Sequence, residues 1–309
     1  MAKRIIIDCD PGIDDAFLMA MAVASSDIEI LGVTTTYGNV GVAHTTNNAL
    51  RVLDWLGSAV PVYAGVDRAI LSNRVDAAAY HGESGLEAPQ IGQPKRGAEA
   101  ESAIHYLVRT LAGSSDKITL VASGPLTNLA IALRLQPSIA EKIDRIVFMG
   151  GSTDYGNDSP AAEFNLLCDP HAAQIVLDSG IPTVMFGLNV THQVIATPRH
   201  VERMRALGNR AGRVFADMAE FFAKVYRERY GFEGSALHDP CTVAWLLQPD
   251  IFQTRTMRVD VETNSGLSFG RTVHDIWGLG GKPATTEVAI KADADGFFDL
   301  LLSLLGKLD

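Results

Sequence analysis

The chain has 309 residues, 47% apolar, 20% charged and 7% aromatic, with 28 glycines and 13 prolines, a length that allows one large α/β domain or two smaller ones and a composition that excludes collagen-like or low-complexity organisation. Its formal net charge of −10, with no run of Lys and Arg, argues against a nucleic-acid or anionic-membrane partner. Cys9, Cys168 and Cys241 stand far apart with no CxxC pair, so neither a disulfide framework nor a zinc site of the usual spacing is expected, and a reducing compartment suits them.

The opening Met-Ala-Lys-Arg-Ile-Ile-Ile-Asp meets an acid after three apolar residues, unlike a signal peptide, and no apolar stretch approaches the roughly 18 residues of a membrane span; a cytoplasmic protein is expected. Residues 5–8 read as a buried strand and 14–24 as the helix after it. A strand at 28–36, a helix at 43–56 and a short strand at 61–64 follow, then a long loop at 81–97 rich in Gly, Pro and Glu. Next come a helix at 100–112, a strand at 117–122, a helix at 126–133, a strand at 145–149, a helix at 171–178 and a strand at 183–188. This alternation predicts a Rossmann-like, mainly parallel sheet with helices on both faces. Residues 198–230 break the rhythm: they are helical, charged and carry Phe215, Phe221, Phe222, Tyr226 and Tyr230, which reads either as a surface helical pair with an aromatic inner face or as a cap over a pocket. A helix at 240–247 and strands at 258–262, 270–275 and 286–290 complete a single domain spanning 1–309.

The densest chemical signal is Asp8-Cys9-Asp10-Pro11-Gly12-Ile13-Asp14-Asp15, four carboxylates within eight residues at the end of the first strand. Side chains two apart on a strand share a face, so Asp8 and Asp10 can point the same way. Pro11-Gly12 makes a turn, and Asp14 and Asp15 open a helix whose positive end favours anions. That dipole cannot neutralise four acids, since two carboxylates about 5 Å apart repel by roughly 3 kcal/mol at an effective dielectric of about 20. Protonation or a cation answers the repulsion, and oxygen-only ligands select Ca²⁺, Mg²⁺ or Mn²⁺ over zinc. Two other readings stand beside this one: helix capping with the remaining acids solvated, and an Asp-x-Asp phosphoryl-aspartate nucleophile, which the Pro-Gly-x-Asp-Asp continuation fits poorly. Ligands of open α/β sheets bind beyond the carboxyl ends of the strands, which favours the cation.

With this segment in view, the chain resembles the nucleoside hydrolases, the inosine–uridine-preferring nucleoside N-ribohydrolase family. The acidic octapeptide is similar to that family's N-terminal fingerprint. Further matches run in order along nearly the whole chain: Gly38-Asn39, His81-Gly82-Glu83-Ser84-Gly85, Gly124-Pro125-Leu126-Thr127-Asn128, Met149-Gly150-Gly151, Glu163-Phe164-Asn165 and His238-Asp239-Pro240-Cys241. The resemblance implies Ca²⁺-dependent hydrolysis of the N-glycosidic bond of ribonucleosides, in nucleoside salvage, by a homodimer or homotetramer. It assigns the Ca²⁺ ligands to Asp10, Asp15, Asp239 and the backbone carbonyl of Ser123. Asp10 is then the general base for an attacking water, in a single displacement through an oxocarbenium-like transition state.

The same resemblance places Asp14, Asn39, Asn157, Glu163, Asn165 and Asp239 around the sugar, with Met149 lining it. His81 and His238 match positions near the nucleobase, His238 as a second catalytic residue. Tyr226 and Tyr230 share one helix face that would close over the base, and Phe164 would stack or pack nearby. Residues 230–240 look most like the pyrimidine-preferring branch, while Tyr226 also resembles the less selective one; uridine and cytidine are the expected substrates. Read without the family, Asn157 is a turn residue, Glu163 and Asn165 belong to a solvated loop, and Asp239-Pro240 starts a helix. Cys9 and Cys241 read as small buried apolar groups. The competing functions are a Mg²⁺-dependent phosphatase using Asp8 or Asp10, and a nucleoside-binding protein without catalysis.

Overall fold

The computed structural model describes residues 2–71, 84–86, 88 and 90–309. Strand β1 (Lys3–Cys9) is buried over its last five residues. Its side chains alternate between two cores: Ile5 and Ile7 enter one, Ile6 the other, as the two-residue period of a strand requires. The strands β2 (Ile28–Thr35), β3 (Val62–Ala64), β4 (Ile118–Ala122), β5 (Ile143–Met149) and β6 (Thr183–Phe186) run parallel with it in the order β3-β2-β1-β4-β5-β6. Every residue of β4 and β6 is buried, the condition of a parallel strand covered on both faces. Beyond β6 the sheet continues through β11 (Thr286–Ala292), parallel to it, and then antiparallel through β9 (Phe252–Val261) and β10 (Thr272–Asp275).

Helices cover both faces, as the alternation of elements predicts. The core holding Ile5 and Ile7 packs against α1 (Ile13–Ala24), α2 (Val42–Trp55), α9 (Arg210–Tyr230), α10 (Pro240–Leu247) and α11 (Ala294–Leu305). The core holding Ile6 packs against α3 (Ala103–Gly113), α4 (Thr127–Leu135) and α6 (Pro170–Leu177). α1 is buried from Ile13 to Ala22, because α10, α11 and α9 all lie against it. The irregular stretch after β6 forms a helical pair, α8 (Pro198–Ala206) and α9. α9 turns Phe215 onto Phe17 of α1, ring centroids 4.7 Å apart, and ends at Gly231, whose φ of +70° is the left-handed stop that glycine adopts without strain.

Several parts of the chain depart from the sequence reading. α11 was not foreseen, although Asp293 caps it and Phe297, Phe298, Leu301, Leu302, Leu304 and Leu305 form its buried stripe. β9 begins at Phe252 rather than 258, its first half obscured by exposed polar residues on a strand near the sheet edge. A two-residue ladder, β7 (Ile195–Ala196) with β8 (Ser235–Ala236), is too short to leave a pattern. Of the expected loop at 81–97, the described residues form neither helix nor strand. Buried Arg51 of α2 donates to the carbonyls of Leu86, Ala88, Ile91 and Gly92 at 2.8–3.4 Å and holds that loop down.

Candidate active site

The strand order reverses between β1 and β4, which opens a crevice at their carboxyl ends, the place where open α/β sheets bind ligands. β1 ends at Cys9 and Pro11-Gly12 turns the chain into α1, so Asp10, Asp14 and Asp15 reach that crevice from below. Asp239 enters from the start of α10. All four are nearly inaccessible, from 0% exposed at Asp15 to 5% at Asp14. Carboxylate oxygens of Asp14, Asp15 and Asp239 lie within 4.8 Å of one another.

Fixed donors hold this floor. Asp15 Oδ2 accepts from the Gly12 amide at 2.8 Å and its Oδ1 from the Ser123 hydroxyl at 2.6 Å. Asp10 Oδ2 accepts from the Asn39 amide at 2.7 Å, while the Asn39 side chain donates to the Asp10 carbonyl at 3.0 Å. Gly38 and Gly124 press against the same carboxylate: a Cβ would fall 1.9 Å from Asp10 Oδ2 at the first and 2.6 Å from Oδ1 at the second. Asp10 Oδ1 and Asp14 Oδ1 are buried with no hydrogen-bond partner among the described residues.

Burial, reinforced by neighbouring carboxylates, holds Asp10 and Asp239 well above the usual carboxylate range and pushes Asp14 up to about 7. Burial likewise raises Asp15. Gathered carboxylates with orphaned buried oxygens form an oxygen-only donor set that fits a hard divalent cation. Asp8 is engaged elsewhere, its Oδ1 accepting from Thr34 at 2.6 Å and Asn128 at 2.8 Å, and burial pushes it up to about 6.

Above the acids lies a cavity. Asp14, Asn39, Ser123, Met149, Asn157, Glu163, Phe164, Asn165 and Asp239 line it together with Phe222, Tyr226 and His238. Glu163 is not in a solvated loop: it is 2% exposed and caps the short helix α5 (Phe164–Cys168). Its Oε1 accepts from Asn165 N–H at 2.8 Å, and its Oε2 from Gly151 and Leu166 at 2.8 and 3.1 Å. Burial outweighs those bonds and pushes Glu163 up to about 7. Asn165 donates to the carbonyls of Ser123 and Met149 at 2.8 and 3.3 Å, tying β4 to β5. Asn157 Oδ1 accepts from Phe164 N–H at 2.9 Å.

His238 is 6% exposed, its Nδ1 2.7 Å from Thr191 Oγ1 and its Nε2 2.5 Å from Tyr226 Oη. Tyr226 packs edge-on to Phe222 at 4.9 Å and against Tyr230 at 5.4 Å, so Tyr230 stands beside it on the same helix face. His192 lies behind, 5.4 Å from His238 and 5.2 Å from Phe232, and burial pushes its imidazole down to about 4. His81 lies outside the described residues. Thr191 and Phe222 are absent from the residues read as a site in the sequence. The four-residue spacing from Phe222 to Tyr226 carried a signal for one; Thr191 ends a four-residue helix, α7 (Leu188–Thr191), with no periodicity to read.

The chain matches the family described as inosine-uridine preferring nucleoside hydrolase over residues 5–299, and it belongs to that family. It is 44% identical over 299 residues to the pyrimidine-specific ribonucleoside hydrolase RihB of Escherichia coli O17:K52:H18 (strain UMN026 / ExPEC), across 97% of this chain and 96% of that protein. The solved structure of a purine-preferring ribonucleoside hydrolase from Gardnerella vaginalis superimposes with a TM-score of 0.92 at 34% identity, over 98% of each chain. A plant nucleoside hydrolase, PpNRh1, superimposes at 0.91 with 32% identity over 99% of each chain. The protein is thus a hydrolase acting on N-glycosyl bonds. No helix among the described residues is long and apolar enough to cross a membrane.

Proposed function

We propose that this enzyme hydrolyses pyrimidine ribonucleosides, uridine and cytidine foremost, to ribose and free base in nucleoside salvage, with Ca²⁺ as its metal and as a homodimer or homotetramer of the cytoplasm. One observation carries the chemistry: buried carboxylates with orphaned oxygens share a cavity with a hydrogen-bonded His–Tyr pair. Asp10, Asp15, Asp239 and the Ser123 carbonyl would hold the ion, with Asp14 beside them. Bound there, Ca²⁺ supplies positive charge that orients ribose hydroxyls and acidifies a water.

The chain's own groups do the rest. Asp10, its Oδ2 pinned by Asn39, offers Oδ1 as the base that takes the proton of the attacking water. Asp14, Asn39, Asn157, Glu163 and Asn165 grip the sugar, and the carboxylates among them favour the positive charge that grows on ribose as the C–N bond breaks. Met149 and Phe164 shut out water around the ring. The hydrogen-bonded His238–Tyr226 pair faces the departing base and can supply a donor to it. Preference for pyrimidines is supported by the 44% identity to proteins named pyrimidine-specific; the purine-preferring neighbour at 34% supports the broader inosine-and-uridine reading as second.

A panel of uridine, cytidine, inosine, adenosine and their 2′-deoxy forms, with reducing-sugar detection, tests this. The highest kcat/KM is expected for uridine or cytidine, with the deoxy forms poor. Leading turnover of inosine would move the enzyme to the broader class, and phosphate release from a phosphomonoester with no sugar from any nucleoside would overturn the reaction.

A further inference from the structure

We infer that Thr191 is a positioning residue for the departing nucleobase: its hydroxyl donates to His238 Nδ1, keeps the proton of the neutral ring on Nε2, and thereby makes Tyr226 Oη the atom that donates to the base. This deepens the nucleoside-hydrolase reading and rests on it. Thr191 is fully buried, and among the described residues its hydroxyl has one hydrogen-bond partner, His238 Nδ1 at 2.7 Å. A hydroxyl carries one hydrogen, and leaving it unbonded in a buried place is costly. The hydrogen therefore goes to Nδ1, which must be the lone-pair nitrogen of the ring.

The ring proton then sits on Nε2, 2.5 Å from Tyr226 Oη. The phenol oxygen accepts it, so the phenol's own hydrogen turns elsewhere, and Tyr226 lines the cavity. The opposite polarity would strand the Thr191 hydrogen. The fold holds this arrangement from both sides. The Ile195–Ala236 and Ala196–Ser235 pairs of the β7–β8 ladder, with the Leu237 amide donating to the Val194 carbonyl at 3.0 Å, clamp residues 191–196 against 235–238. As the glycosidic bond breaks, its electron pair gathers on the base. A hydrogen bond from Tyr226 Oη, polarised by the Nε2–H behind it, strengthens at that moment. Thr191 touches no substrate and acts through His238.

The test compares uridine with p-nitrophenyl β-D-riboside, whose leaving group departs without a donor. In Thr191→Val, kcat on uridine is expected to fall about 10- to 100-fold while the p-nitrophenyl riboside stays within about twofold of wild type. Thr191→Ser, which keeps the hydroxyl, is expected to retain both. An equal fall on both substrates, or unchanged uridine turnover in Thr191→Val, would overturn the inference. If wild type turns over neither substrate, the nucleoside-hydrolase reading fails instead. Wild-type protein labelled with ¹⁵N-histidine decides the inference without any folded variant at Thr191: the His238 signals, assigned by their loss in His238→Asn, should report an Nε2-protonated ring, and an Nδ1-protonated ring would refute it.

Discussion

Gly124 and Asp10 illustrate how little room the acidic floor has. A Cβ at Gly124 would sit 2.6 Å from Asp10 Oδ1 while the Asn39 amide holds Oδ2 at 2.7 Å, so the carboxylate must leave its place. Gly124→Ala is expected to lower kcat about 100-fold and to cost about 1–3 kcal/mol of stability through overpacking, read by urea unfolding. Asp10→Asn, which removes the base but keeps the shape, should lower kcat by about 10³-fold or more with an unchanged far-UV spectrum. At this scale the sequence was partly readable. Acids crowded at a strand end announce unusual electrostatics whatever the fold. The separate duty of Asp8 was not readable, because its partners Thr34 and Asn128 come from β2 and the start of α4 and meet it only once the sheet is assembled.

The short helix α5 shows why elements near the site resisted reading. Five residues are too few to show a helical period, and the glutamate before them reads as a loop acid until its three amide donors are seen at 2.8–3.1 Å. Glu163→Ala is expected to lose about 1–2 kcal/mol of stability with the cap and most of kcat/KM together, whereas Thr153→Ala, at a half-buried residue whose hydroxyl donates to the adjacent Asp154 at 3.1 Å, should change neither. Stability falling with activity intact would sever the cap from the sugar site. The long helix α9 was readable, since its aromatics recur at helical spacing over 21 residues. The β7–β8 ladder that joins α9's exit to the Thr191 turn was not, being two residues long on each side.

Across the whole molecule, the mainly parallel sheet and its two-sided helical cover follow from the alternation of short apolar runs with amphipathic ones, while the strand order, which that alternation does not fix, puts the site at the switch between β1 and β4. The cluster also makes the fold depend on pH. Asp14 and Glu163 are pushed up to about 7 and Asp8 to about 6, against about 4 in an unfolded chain. Between those limits the folded, metal-free chain binds more protons than the unfolded one, so its stability falls as pH rises from about 4 to about 7. In chelator the melting temperature should therefore drop between pH 5 and pH 7.5. Saturating Ca²⁺ should remove much of that drop, so the gap between the two curves widens with pH. A gap that narrows toward neutral pH would contradict this.

The most direct measurement is calorimetric titration of Ca²⁺ into chelator-stripped protein. Wild type is expected to bind one ion per chain, with affinity reduced about 100-fold or more in Asp15→Asn or Asp239→Asn and retained in Asp8→Asn. No binding by the wild type, or undiminished binding by the Asp15 and Asp239 variants, would contradict the claim that these acids are gathered to hold a cation.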